Sequence, residues 1–231
     1  MKRGINFWSI IIFGLILLYV TKGCKKEEDI YTVRDIDGNK YHTVVIGTLE
    51  WMVENLRATH FNDGSAIPFV ADILDWNNLT SWAYCVYDNI IDNSKTYGRL
   101  YNFYAVEDPQ SLCPEDWHVP TNEDWDELVD FLGGNSIAGD KLKEAGNEHW
   151  YYYDPDVTDD FGFAALPGGQ RGLGSEQGYF DIRFAGNYWS SDISESFTNL
   201  AYGWILMINA PGINKSLFNK SDGLSVRCIK D

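Results

Sequence analysis

The feature that most restricts this chain lies in its first 24 residues. Lys2 and Arg3 precede an almost wholly apolar run from Phe7 to Val20, and a Gly23-Cys24 pair follows. A positive start, a short apolar stretch and a small residue before the junction are the parts of an export signal. The run falls short of the roughly 20 residues that a membrane-spanning helix needs. Residues 1–23 are therefore expected to be a lipoprotein signal peptide, with Cys24 the point of cleavage and lipid attachment. An uncleaved N-terminal anchor is the alternative, because Thr21 and Lys22 are unusual residues just before a lipidation cysteine. Either version places the fold outside the cytoplasm.

That compartment sets the cysteine chemistry. With Cys24 lipidated, Cys85, Cys113 and Cys228 remain, so one disulfide is expected with one thiol left over. Cys113–Cys228 is the expected bond. It joins the middle of the chain to the C-terminal strand, and closing so long a loop contributes about 4–5 kcal/mol in the chain-entropy model. Cys85 lies in the apolar run Trp82-Ala83-Tyr84-Cys85-Val86-Tyr87 and reads as a buried, inert thiol.

The net charge of −16 becomes −19 without residues 1–23, which hold Lys2, Arg3 and Lys22 and no acid. A surface so negative repels nucleic acid and anionic lipid, so membrane contact is expected only through the lipid anchor. It suits cations. Cys24 is followed by Lys25-Lys26-Glu27-Glu28-Asp29, a charged tether over residues 24–29. This run also resembles the lysine-plus-two-acids export signal that sends lipoproteins of Bacteroidota to the outer face of the outer membrane. The expected location is thus an outer-membrane lipoprotein facing the cell exterior.

From residue 30 onward the chain reads as one α+β domain with few helices, since no linker or internal repeat interrupts it. Aromatic residues make up 15% of the chain, which excludes disorder. Tyr31 to Ile36 and Tyr41 to Ile46 flank Asp37-Gly38, a recognisable hairpin turn. Further strands are expected at Glu50–Val53, Trp82–Tyr87, Tyr202–Ile208 and Leu224–Ile229, with residues 59–80 rich in loop signals. The clearest helix starts after Pro120 and Thr121, with Glu123 and Asp124 in its first turn. Trp125, Leu128, Val129 and Leu132 recur at i, i+3, i+4 and i+7 before Gly133-Gly134 ends it. A second helix is expected from Ile137 to Ala145.

Seven ordered blocks carry a resemblance. They are residues 37–41, 46–56 (with Glu50-Trp51-Met52 and Asn55), 97–102 (Tyr97-Gly98-Arg99-Leu100-Tyr101-Asn102), 112–121 (with Trp117-His118-Val119-Pro120), 161–169, 188–191 and 225–228 (Ser225-Val226-Arg227-Cys228). The pattern is similar to the Fibrobacter succinogenes major paralogous domain family over nearly all of residues 30–231. Its members are typically secreted or lipid-anchored, with function largely unassigned. Trp117-His118-Val119-Pro120-Thr121 with Trp125, and the closing Val226-Arg227-Cys228, are also distantly similar to the formylglycine-generating sulfatase-modifying family. That likeness implies a C-type-lectin-like single domain with two helices, small antiparallel sheets and long loops. A bond from the helix entry to the last strand suits such a fold and favours Cys113–Cys228 a second time. The paired catalytic cysteines of the sulfatase-modifying enzymes have no counterpart near this C-terminus, so their chemistry is not carried over.

The motifs of hydrolases, zinc proteases, phosphate loops and dithiol enzymes are missing from the sequence, which leans away from an enzyme. His42, His60, His118 and His149 are widely spaced. No cofactor is required, and calcium is the one ion with a candidate loop. There Asp154, Asp156 and Asp159 alternate oxygen ligands around Pro155; the alternative is a solvated acidic loop whose aspartates cap turns. Trp150-Tyr151-Tyr152-Tyr153 cannot all point to one face of a strand, so at least one ring is expected at the surface. Trp51, Trp117, Trp125 and Trp189 fall inside the blocks and read as packing, which leaves Trp76, Trp150 and Tyr152 as candidate ligand-binding aromatics. The function expected is a non-catalytic cell-surface module binding glycan or another extracellular polymer. The alternatives are a structural or adhesive protein with a protein partner, and an enzyme acting on polysaccharide.

Overall fold

A computed structural model describes Met1 and residues 33–173 and 177–231 of the protein. The signal peptide, the tether and Cys24 lie outside the described residues. The first hairpin forms around Asp37-Gly38 but is shorter than expected: β1 (Val33–Arg34) pairs antiparallel with β2 (Lys40–Tyr41), and the expected strand from Tyr41 to Ile46 breaks at His42. Gly38 takes a φ of 81° in the turn, a conformation that side chains disfavour. β3 (Thr43–Ile46) and β4 (Leu49–Met52) make the next hairpin.

Three short helices follow that the sequence did not announce: α1 (Ile73–Asn77), in a stretch expected to be loop, α2 (Asn93–Tyr97) and α3 (Phe103–Val106), with β5 (Tyr84–Cys85) and β6 (Leu100–Asn102) between them. The expected pair of helices is therefore five among the described residues. Helices of four or five residues show no 3.6-residue periodicity to read; α1 persists because the Asp72 carboxylate accepts the N–H groups of Leu74 and Asp75 and Trp76 is buried. Beyond β7 (Trp117–His118) comes α4 (Asn122–Phe131), with the capping box its sequence promised. Thr121 accepts the Asp124 N–H, and Asp124 accepts the Thr121 N–H in return. Its apolar stripe of Trp125, Leu128, Val129 and Leu132 is fully buried. The second expected helix is shorter than read, α5 (Ala138–Leu142). It stops because Lys143 turns extended and bridges to Ala165.

The C-terminal half supplies β8 (Gly168–Arg171), β9 (Tyr179–Ile182), β10 (Ala185–Ile193), β11 (Leu200–Met207), β12 (Ile213–Asn219), β13 (Gly223–Leu224) and β14 (Ile229–Lys230). The largest sheet runs β12-β11-β10-β8-β13-β6-β5 with β9 on β8; its strands are antiparallel except for the step from β8 to β10. A second sheet, β3-β4-β14-β7, sets the last strand between two early ones. Neighbouring residues of β10 divide the core: Tyr188 packs with Trp51, Trp125, Phe163 and Trp204, while Trp189 packs with Met52, Tyr101, Phe103 and Val226. These two clusters thus share one strand, beside a third built on Trp76, Cys85, Leu100 and Tyr179.

Cys113 and Cys228 are bonded, their Cα atoms 6.0 Å apart, which ties the approach to β7 and α4 to the entry of β14. Cys85 is free and buried, and burial pushes its thiol up to about 11, as an inert thiol requires.

Candidate functional site

The aromatic run divides in the structure. Trp150 is 3% exposed, whereas Tyr151, Tyr152 and Tyr153 are 51%, 59% and 65% exposed. Trp150 is held inside by its indole N–H, which donates to Ala165 O at 3.1 Å, and by the Lys143 ammonium 5.9 Å from its ring centre. A residue far away in sequence joins the tyrosines at Tyr151. Phe184, 39% exposed, stacks on Tyr151 at 4.8 Å, and Tyr152 meets Tyr151 edge-on at 4.8 Å. The Arg183 guanidinium lies 5.6 Å over the Tyr151 ring.

Asp181 near the end of β9 and Arg183 in the β9–β10 turn hold left-handed φ angles of 62° and 67°. Backbone bonds fix that turn. Tyr151 N donates to Arg183 O at 2.9 Å, and Arg183 N donates to Pro167 O at 2.9 Å. The result is an exposed, preorganised aromatic patch of the kind that stacks on flat apolar faces of a ligand. Glu144, Glu148 and His149 border it, with Tyr97 edge-on to the His149 ring at 5.7 Å. Among the described residues, these two glutamates and the histidine are the group of donors close enough together to hold a metal.

The sequence expectations for Trp76 and Trp150 as surface aromatics are corrected by burial; Tyr152 does reach the surface. Trp76 is 0% exposed because its indole N–H donates to Ser221 O at 2.8 Å and the Arg171 guanidinium covers its ring at 4.6 Å. The trio of Asp154, Asp156 and Asp159 does not converge. Asp154 accepts the Asp156 N–H at 3.0 Å, a local turn, while Asp159 faces inward and accepts the Ala164 N–H at 2.9 Å. The signal for Glu144, Glu148 and His149 was local, since they stand within six residues of one another beside the aromatic run. Arg183 and Phe184 gave none, because only the fold brings their turn to residue 151.

Burial raises the Asp159 carboxyl above the ordinary aspartate value of 3.8, against the pull of the Ala164 N–H and the Arg227 charge. A raised folded value means that the native chain holds this proton more tightly than the unfolded chain. Ionisation therefore opposes folding as pH rises past the unfolded value. Asp159→Asn keeps the acceptor and tolerates the left-handed φ of 47°. The variant is expected to melt a few degrees higher at pH 7 and to lose the advantage near pH 3 in circular-dichroism melts. A lower melting temperature at pH 7 would show that its charge supports Arg227 more than burial penalises it.

A concavity of about 650 Å³ lies between the β3–β4 turn and α4. Glu123, Asp126, Glu127 and Asp130, at i, i+3, i+4 and i+7, line it together with Ile46 and Phe131. Lys215 pairs with Asp126 at 3.0 Å, and Thr48 bonds to Glu127. Like charges at these spacings weaken a helix, and Asp130 sits near the negative end of the helix dipole.

The fold and its surface define a disulfide-closed, single-domain α+β protein with an exposed aromatic patch and an acidic groove. The chain belongs to the Fibrobacter succinogenes major domain family, whose profile matches residues 44–230. No curated protein and no solved structure matches it.

Proposed function

We propose that the protein is a lipoprotein, anchored at Cys24 in the outer membrane and facing the exterior, whose domain is a non-catalytic module binding glycan or another extracellular polymer. The observation that carries this reading is the patch of Tyr151, Tyr152 and Phe184, with Tyr153 exposed next to it in the chain, which leaves four aromatic rings on the surface of a chain with ample core to bury them. Flat apolar sugar faces stack on such rings, and the Glu148 and Arg183 groups at its edge are suited to bonding hydroxyls. A C-type-lectin-like arrangement, with its distant kinship to the sulfatase-modifying enzymes, is supported by the sheet that sets β14 between β4 and β7. Calcium is the ion to test for a metal-dependent mode.

The experiment is a glycan array probed with the purified full chain, with and without EDTA. Tyr152→Ala is expected to weaken the captured glycans about fivefold, the equivalent of about 1 kcal/mol for one lost stacking face. Unchanged binding by Tyr152→Ala and Tyr153→Ala together would remove the patch from the reading. The acidic groove favours a second reading, a structural or adhesive protein that binds a basic segment of a protein partner. An array without hits, beside capture of lysine-rich peptides that Glu123→Gln abolishes, would put that reading first. Reducing-sugar release on the same glycans would instead place the chain among polysaccharide-acting enzymes.

A further inference from the structure

Residues 144–150 are closed at both ends on one carbonyl: the Glu144 N–H and the Trp150 indole N–H each donate to Ala165 O at 3.1 Å. Lys143 and Trp150 are buried at the two flanks. The intervening segment is therefore fixed at its base, as a ligand-holding segment needs to be. It carries Glu144, Glu148 and His149, one donor atom of each lying within 4.8 Å of the others. His149 Nδ1 stands 2.8 and 2.9 Å from the two Glu144 oxygens.

Among the described residues, no lysine or arginine forms an ion pair with either glutamate. Among the described residues, the ion pair of this cluster is the one between Glu144 and His149. The nearby Arg183 is engaged elsewhere, its Nε donating to His149 O at 3.3 Å and its guanidinium lying over Tyr151. The other three histidines each face carboxylates, His42 with Glu54, His60 with Asp37, and His118 between Asp124 and Asp231, but none of these gathers three donors as closely.

We propose that Glu144, Glu148 and His149 form a binding site for a divalent transition-metal ion of the zinc type, with its remaining positions open to solvent. One imidazole and two carboxylates are the donor set that zinc accepts with a fourth position free. Calcium takes six to eight oxygens, and an imidazole here would leave it short. The site borders the aromatic patch but does not rest on the polymer reading, because its test uses the metal alone.

Zinc chloride titrated calorimetrically into the purified full chain is expected to fill one saturable site and to raise the melting temperature. His149→Ala and Glu148→Gln should each weaken that binding at least about tenfold, the loss that even outer-sphere partners of metals produce. His149→Ala also breaks the contact with Glu144, so Glu148→Gln is the variant that separates ligation from folding: the Glu148 side chain is exposed. Zinc affinity unchanged in Glu148→Gln would overturn the site. Calcium binding as tightly as zinc, with His149→Ala indifferent, would also overturn it.

Discussion

Replacing Cys113 or Cys228 with alanine is expected to lower the unfolding free energy by about 4–5 kcal/mol, because the bond closes a loop spanning 115 positions. In a domain of this size that corresponds to roughly 10–15 °C in melting temperature. The position of the bond sharpens the expectation. Strand β14 is only two residues long and is held between β4 and β7, so the covalent tie supplies registry that so short a strand cannot supply through its own ladder. Either single variant and the double variant should melt alike, since both cysteines serve one interaction. Thermal melts with and without reductant check this: reductant should move the wild type to the temperature of the variants and leave the variants in place. A single variant that melts with the wild type would refute the entropic account. Cys85, buried beside Arg171 and outside the bond, should not respond to reductant at all.

The bond was legible because it followed from counting: with Cys24 set aside as the expected lipidation site, three cysteines remain, and one of them, Cys85, lies in an apolar run. Helix α4 was legible because every signal for it is local, with the cap at Thr121, acids in the first turn and apolar residues at helical spacing. Trp76 and Trp150 show where local reading stops. Each lies in a polar or aromatic stretch that carries no mark of burial, and each is drawn inside by a distant carbonyl, Ser221 O or Ala165 O. β10 was hidden for a related reason. Its first six residues are buried whichever side they face, so no alternation of apolar and polar residues announces the strand. At the aromatic patch, Tyr152 was readable from the four-ring run, while Phe184 arrives on a turn 33 positions or so away, beyond the reach of any spacing rule.

Four of the seven blocks that carry the family resemblance have a common physical explanation. Asn55 donates to Tyr97 O at 2.8 Å and to the Ser225 hydroxyl at 3.3 Å. Gly98, at φ 79°, lies so close that a Cβ would stand 2.6 Å from the Asn55 side chain. Trp189 donates to Tyr101 O at 2.7 Å. Blocks scattered over the chain thus meet at buried polar contacts, and the tyrosines and Phe184 of the patch lie outside the blocks. The motifs describe how the fold is held, and the exposed loops between them are where such a fold is freest to vary.

Arg227 is the centre of that buried network, and its removal is the second large effect expected. The side chain is fully buried, and the guanidinium donates to Asn55 Oδ1 at 3.2 and 2.9 Å, to Phe163 O, and to Ala164 O at 3.4 Å. Its charge lies 4.3 Å over the Phe163 ring and 5.4 Å from that of Tyr188. Burial alone depresses its affinity for the proton, so the charge is a cost that the surrounding acceptors and rings must offset. Arg227→Ala strands those acceptors and opens a cavity; at about 1–3 kcal/mol for each buried group left unpaired, the loss should reach about 4 kcal/mol or more. Arg227→Lys keeps the charge but not the planar fork, and cannot serve Asn55, Phe163 and Ala164 together, so it should fall between alanine and the wild type. Arg227→Met separates charge from packing: it fills the space and donates nothing. Urea unfolding at constant slope measures all three. If Arg227→Met stays within about 1 kcal/mol of the wild type, as some buried charges replaced by apolar residues do, the network is dispensable packing. A loss near that of alanine would establish that the carbonyls of residues 163 and 164 require the guanidinium, and with them the wall on which the loop of residues 144–150 is closed.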